Sequence, residues 1–407
     1  MSALAEPVLD AASGDKLARR NAIVLAFAQA LAGGNNAVLV ATCGIVGTML
    51  ASDKGLALLP ISIFVIAMWL STLPMGWLAR NLGRRTALQI GTVSGILTGL
   101  IFCTAVLQGS FVIFCLGAAF GGFYGAGHHA YRFAAADTAS EAFKPKAISW
   151  VLVGGIFAGI TGPQLVIFTK DLWPPYLFAA TYLGQSALAL AAGMVLIALN
   201  IPKPPPRAAV GDGRPLVEII RQPRFVIAVV CGVASYSMMN MMMTSAPLAM
   251  VMCNHSVTDA ALGIQWHIIG MYAPSFITGT LINRYGIERI TALGLALILL
   301  SAVIGIGGIS LWHFWSAIAL IGVGWNFAFI GATTLVTECY RPNERNKVQA
   351  FNDFLIFGSM AISSFSSGQL LANSGWATVN LMVFPVVLVA GALLLWGTLR
   401  GHAGATT

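Results

Sequence analysis

Gly76-Trp77-Leu78-Ala79-Arg80-Asn81-Leu82-Gly83-Arg84-Arg85 is a short polar turn between two long apolar runs, and its outline returns 203 residues later as Gly279-Thr280-Leu281-Ile282-Asn283-Arg284-Tyr285-Gly286. A second pair follows the same order. Glu141-Ala142-Phe143-Lys144-Pro145 is matched by Glu338-Cys339-Tyr340-Arg341-Pro342, at an offset of 197 residues. Two loops that recur in sequence at nearly one offset describe a duplicated chain.

The runs around these loops are of membrane length. The chain has 407 residues, 57% hydrophobic and only 9% charged, with a mean hydropathy of +0.82; soluble domains carry about 25% charged residues. Twelve apolar spans are expected, at about 21–49, 56–79, 87–107, 111–133, 147–169, 177–200, 224–252, 259–283, 290–311, 313–336, 349–371 and 377–398. Each is long enough to cross about 30 Å of hydrocarbon as a helix. Helix-length runs, rather than short alternating segments, exclude a β-barrel. The polar 201–223 stretch, with Pro202, Pro204, Pro205 and Pro206, cannot span. It divides the chain into an N-terminal half, 1–200, and a C-terminal half, 224–407. The expected fold is an all-α membrane protein of two six-helix halves related by a pseudo-two-fold axis, the plan of many transporters.

Charge sets the orientation. With the N-terminus inside, all of the 22 Lys and Arg except Lys54 and Lys170 fall on the cytoplasmic side. Both termini are then cytoplasmic, and the net charge of +8 is topological rather than a nucleic-acid footprint. The polar Met1–Arg20 segment lacks the apolar core of a cleavable signal peptide. The six cysteines are scattered without a CxxC pair, so no structural zinc site is implied.

The 76–85 turn resembles the loop between helices two and three of the major facilitator superfamily, and the likeness covers the whole chain. Arg80 stands where that family usually carries an acid, which implies an inner gate built differently; Arg84 and Arg85 remain as gating residues. Gly154, Gly155, Gly159, Gly162 and Pro163 resemble a glycine–proline pattern in the fifth span of some members. Small residues there let helices approach closely.

The chemistry is concentrated between Ser237 and Met271. Met238, Met239, Met241, Met242 and Met243 fall in six residues, and His267 and Met271 follow four apart on the next span. Residues four apart share a helix face. Met243 and His267 each lie 12 residues from His255, at the turn, and Met239 and Met271 each lie 16 residues from it. Thioether sulfur and imidazole are both ligands for copper. The alternative is that the methionines pack the core and that the histidine is a satisfied core residue. An intramembrane ionisable group is nonetheless a functional candidate. The Met239/Met243 and His267/Met271 pairs are similar to the paired motifs of the CcoA-type copper importers of bacteria. That likeness implies that Met239, Met243, His267 and Met271 bind copper, as Cu(I) if the soft thioethers decide; Cys231 and Cys253, near the site, are accessory candidates, and the Met238/Met242 pair leaves the first motif ambiguous by one residue.

The expectation is therefore a secondary transporter that imports copper across a bacterial inner membrane and supplies cytochrome oxidase assembly. Copper donor or acceptor proteins on either side would be its partners. Copper is cargo, with no resident cofactor. The chain has no evident nucleotide-binding loop or nucleophile–base pairing, so neither ATP drive nor an enzyme is expected. A cation moving inward gains about 2.3 kcal/mol per charge per 100 mV of potential. Asp353, the one acid placed inside a span rather than at its end, is a candidate for coupling or for pairing with Arg345 and Lys347. His128 and His129 suggest a second inner metal site or a polar lining. Two other readings compete. One is an importer of riboflavin or another small organic solute, with the 22 Phe and 10 Trp available for stacking. The other is a membrane copper sensor that transports nothing.

Overall fold

The computed structural model describes residues 11–140, 143–202, 213–341 and 344–404. Among these residues there are helices and no strands. The first half holds α1 (Ala11–Leu50), α2 (Leu59–Leu82), α3 (Arg84–Gln108), α4 (Phe111–His129), α5 (Tyr131–Ala136), α6 (Lys144–Thr169) and α7 (Ala179–Leu196). The second holds α8 (Leu216–Ile220), α9 (Pro223–Met252), α10 (Val257–Tyr272), α11 (Ser275–Tyr285), α12 (Ile287–Gly307), α13 (Leu311–Thr337), α14 (Arg345–Leu381) and α15 (Val383–Gly404). Among the described residues, ten helical stretches are long and apolar enough to cross a membrane.

The difference between ten and the expected twelve has two local causes. The eighth span is broken: Pro274 cannot donate a backbone hydrogen bond, and α10 stops at Tyr272. Asn326 Nδ2 donates to the Met271 carbonyl at 2.6 Å and to Ser275 Oγ at 2.7 Å. A neighbouring helix thus satisfies the groups exposed at the break, as a membrane interior requires. The last stretch is the reverse case, a single run of 53 residues. At 1.5 Å per residue that is about 80 Å, more than twice the hydrocarbon thickness. It is interrupted at Gly375, where φ is 76°. At the other end of the chain, α1 begins at Ala11, so its helix starts ahead of the apolar span.

The duplication is visible in the backbone. Gly83 has φ 92° and ψ 155°, and Gly286 has φ 93° and ψ 153°. Only glycine takes this conformation without strain, and each residue ends one helix and starts the next. Residues 111–130 and 311–330 also share one burial pattern, position by position. The 203–212 part of the interhalf segment, and the Glu141 and Pro342 positions of the second loop pair, lie outside the described residues.

Glycine permits the close contacts within each half. A methyl group on Gly154 would lie 2.2 Å from the Ala26 carbonyl oxygen of α1, and one on Gly162 would lie 2.4 Å from that of Gly34. In the second half, Gly294 meets the Ala328 backbone nitrogen at 2.3 Å in the same sense. Across the halves, α6 meets α10 through Gln164 Nε2, which donates to Gln265 Oε1 at 2.9 Å. Helices α1 and α2 meet α9 and α14 at the end opposite the Gly83 and Gly286 turns. Gln369 Nε2 donates to the Gly55 carbonyl there at 3.2 Å, and Ser62 and Ser364 hydroxyls lie 3.4 Å apart.

Candidate functional site

Between the halves lie two chambers of about 120 and 110 Å³. They share a waist formed by Gln29, His128, His129, Tyr236 and Tyr272. Beyond the waist, the first chamber is walled mainly by methionine and aliphatic side chains, with Asn36, Asn240 and Thr244 as further polar groups. The second, nearer the Gly83 and Gly286 turns along α13 and α14, is aromatic and charged. Trp325, Phe329, Phe357, Arg132 and Asp353 line it.

Helical pitch explains which residues reach the path. Tyr236, Met239, Asn240, Met243 and Thr244 line the first chamber from α9. At 100° per residue they occupy one arc of about 140°. Met238 and Met242 fall outside that arc, and Met242 Sδ lies 4.0 Å from Ser301 Oγ of α12. On α10, Ile268, Met271 and Tyr272 face the chamber. His267 lies about 40° beyond Met271 around the axis and does not line it. His267 is fully buried, and its Nδ1 lies 2.6 Å from the Ile318 carbonyl of α13. A carbonyl only accepts, so Nδ1 carries the proton and donates. Nε2 has no partner among the described residues.

The four expected ligands are therefore not brought together: Met239, Met243 and Met271 share a chamber, and His267 packs behind it. Cys231 is buried with its Sγ 3.8 Å from the Ala390 carbonyl of α15, and Cys253 is the C-cap of α9. Among the described residues no three His, Cys, Asp or Glu side chains cluster as a metal site.

The second chamber contains chemistry that the sequence reading touched only in part. Trp325 and Phe329 stack with centroids 5.2 Å apart and planes 11° apart. Tyr236 stands perpendicular to both, at 5.3 and 5.0 Å. Trp325 and Phe329 are four apart on α13, a spacing that could have flagged them. Arg132 and Asp353 line this chamber from opposite halves, without an ion pair between them. Asp353 accepts a hydrogen bond from Asn352 Nδ2 at 3.3 Å, while Lys347 donates to the Arg214 carbonyl. The Arg345 side chain lies outside the described residues. His128 Nδ1 lies 3.3 Å from Asn36 Nδ2, and His128 and His129 sit at the waist as polar lining.

The basic end of each half is tied by ion pairs. Arg84 Nε lies 2.7 Å from Asp137 Oδ2, while Arg85 is exposed. In the second half Arg224 bridges Glu338 and Glu288, at 2.8 and 2.9 Å. Arg80 is exposed in the last turn of α2, where a cation complements the helix dipole. Glu344 is fully buried and takes three hydrogen bonds from Arg214, at 2.8 to 2.9 Å, and one from the Arg341 backbone at 2.9 Å. The Arg214 side chain, followed by the Arg341 N–H, holds the Glu344 carboxyl well below the usual carboxylate range.

The sequence profile of the Major Facilitator Superfamily matches residues 25–364 and 254–406. The chain belongs to the Major Facilitator Superfamily. It is a multi-pass membrane transporter, not an enzyme. Among its relatives within the superfamily, it is 50% identical over 381 residues to the riboflavin transporter RfnT of Brucella anthropi, covering 93% of this chain and 96% of that protein. It is 27% identical over 401 residues to the uncharacterized MFS-type transporter YdeG of Bacillus subtilis, covering 93% and 92% of the two chains. YddS of the same organism, also an uncharacterized MFS-type transporter, is 28% identical over 385 residues. The likeness to RfnT overturns the expectation of copper import. A relative identical at half of the aligned positions, nearly end to end, is a riboflavin transporter. The position of His267 is the physical counterpart, since of the four residues that suggested copper it alone does not line the path.

Proposed function

We propose that this chain is a secondary transporter that takes up riboflavin or a closely related flavin across a bacterial inner membrane, with both termini cytoplasmic. The single observation that carries the reading is the 50% identity to a riboflavin transporter over nearly the whole of both chains. The aromatic second chamber supports it, because a tricyclic flavin ring is a stacking ligand and Trp325, Phe329 and Tyr236 offer aromatic faces and edges. Met239, Met243 and Met271 then act as a polarizable wall, since thioethers make favourable contacts with aromatic rings.

Ligand pockets for drug-sized molecules measure about 300–1,000 Å³. The two chambers, at about 120 and 110 Å³, are smaller even together. Passage of a flavin therefore requires the halves 1–200 and 224–407 to part, with 201–223 as the joint between them. Arg84 with Asp137 fastens the basic end of the first half during that movement, and Arg85 remains free to meet lipid headgroups. The test is growth and uptake. A riboflavin auxotroph expressing the chain should grow on low riboflavin and accumulate the radiolabelled vitamin. Uptake no greater than that of cells carrying an empty vector, with the protein present in the membrane, would refute the reading.

A further inference from the structure

We infer that the second chamber reads the pyrimidine-dione edge of the flavin, with Asp353 accepting from the ring N3–H and Arg132 and Trp325 donating to the flanking carbonyls. This assignment rests on the flavin-transport reading and names the orientation of the substrate within it.

The flavin edge presents one N–H donor between two carbonyl acceptors. A complementary site needs one acceptor between donors, beside a surface on which the ring can stack. The second chamber has these parts. Asp353 of α14 is the acid on its wall, and among the described residues it accepts only the hydrogen bond from Asn352, at Oδ1. Trp325 Nε1 and Arg132 Nε are buried, and neither has a hydrogen-bond partner among the described residues. Buried donors are nearly always satisfied, and leaving one unpaired costs more than a typical hydrogen bond contributes. Two such donors and an under-used carboxylate lining one chamber therefore point to a polar ligand rather than to packing. The groups also come from both halves, Arg132 from the first and Asp353 and Trp325 from the second. A ligand that joins them draws the halves together, which couples recognition to movement. Arg132 and Asp353 line the same chamber without pairing directly, so neither needs to be released before the ligand binds.

The test uses the full chain in proteoliposomes and follows competition against radiolabelled riboflavin. N3-methylriboflavin keeps the ring, the carbonyls and the ribityl chain but lacks the N3–H. It should compete 10- to 100-fold less well than unlabelled riboflavin. In Asp353→Ala the ratio between the two competitors should fall towards one, because the acceptor is gone for both. Trp325→Phe keeps a stacking face and removes one donor; it should weaken riboflavin several-fold and leave the N3-methyl ratio as in the unaltered chain. Equal competition by the two flavins in the unaltered chain overturns the assignment while leaving flavin transport standing, and requires no variant to fold. Absence of saturable riboflavin uptake overturns the flavin reading and this assignment with it.

Discussion

Adjacent glycines of α6 should give opposite results when each is replaced by alanine. A methyl on Gly154 would lie 2.2 Å from the Ala26 carbonyl oxygen and 2.8 Å from Gln29 Cβ. The first of these is backbone of α1 in the same half, so two packed helices must separate. Overpacking of this kind costs about 1–3 kcal/mol, and a rigid backbone contact belongs at the upper end. For a unit of 150–250 residues, about 1 kcal/mol lowers Tm by roughly 2–4 °C. Gly154→Ala should therefore lower Tm in detergent by about 6–12 °C. A methyl on Gly155 would instead meet three ring atoms of Tyr272, each at 3.0 Å, across the interface with α10 of the other half. The ring need move only a few tenths of an ångström, which belongs at the lower end, about 1 kcal/mol. That cost falls only on the form in which α6 and α10 are in contact. Since 1.4 kcal/mol is tenfold in an equilibrium constant, the parted form gains about fivefold. Spin labels at the exposed positions Asp171 and Asn254, in a background free of native cysteine, would read this as growth of the long-distance population. Tm should change by less than about 4 °C. The reasoning is refuted if Gly155→Ala loses as much stability as Gly154→Ala, or if Gly154→Ala shifts the distances equally.

Three further outcomes follow from the same contacts. His267→Ala removes a fully buried ring and its hydrogen bond to the Ile318 carbonyl, so stability should fall by about 1–3 kcal/mol, while the KM for riboflavin uptake stays within about twofold; a tenfold rise in KM at unchanged Tm would put His267 in the path. Glu344 is held ionised by Arg214 and the Arg341 N–H, which depresses its folded pKa. Its contribution to stability is thus complete above the ordinary carboxylate range, near about 4.3, and is lost as pH falls below it. Between pH 6 and pH 3, Tm should drop more steeply for the unaltered chain than for Glu344→Gln, and equal slopes would remove Glu344 as the cause. The partly exposed Arg84–Asp137 pair is worth about 0.2–1 kcal/mol, so Arg84→Ala should lower Tm only slightly, and the exchange Arg84→Asp with Asp137→Arg should restore any lost transport; failure of the exchange, with the single variant impaired, would mean that Arg84 acts through another group.

The fold was legible because its determinants are local. Hydropathy over about 20 residues marks a span wherever the neighbours lie. The Gly83 and Gly286 turns require a positive φ, and the residue that supplies it is written in the chain. The break at Pro274 was also written there, but a window average over 259–283 hides one residue. Its tolerance depends on Asn326, 52 positions further on, which no local pattern connects to it. The partner of Arg84 was hidden for a similar reason. Asp137 lies in another loop and reaches it only once α2 to α5 are assembled.

The site was less legible because depth and azimuth are different coordinates. Counting from the turn at His255 fixes height along a helix, and by height alone Met243 matches His267, and Met239 matches Met271. Azimuth is set by which neighbour each face meets. On α9 the arc facing the chamber takes in Met239 and Met243. On α10 its edge falls between Met271 and His267, about 40° apart, and the histidine lands against Ile318 of α13. Two residues on one face by sequence can therefore lie on opposite sides of a chamber wall. The aromatic chamber shows the converse. Arg132, Tyr236, Trp325 and Asp353 come from four helices of both halves, so no spacing rule joins them before folding. Tyr236 sits one residue ahead of the Ser237–Met271 stretch that drew attention to copper, and its ring forms part of the waist between the chambers. The same helix face thus carries both the methionine wall and the aromatic contact, which is why a soft-metal motif and an aromatic solute path are hard to separate by sequence alone.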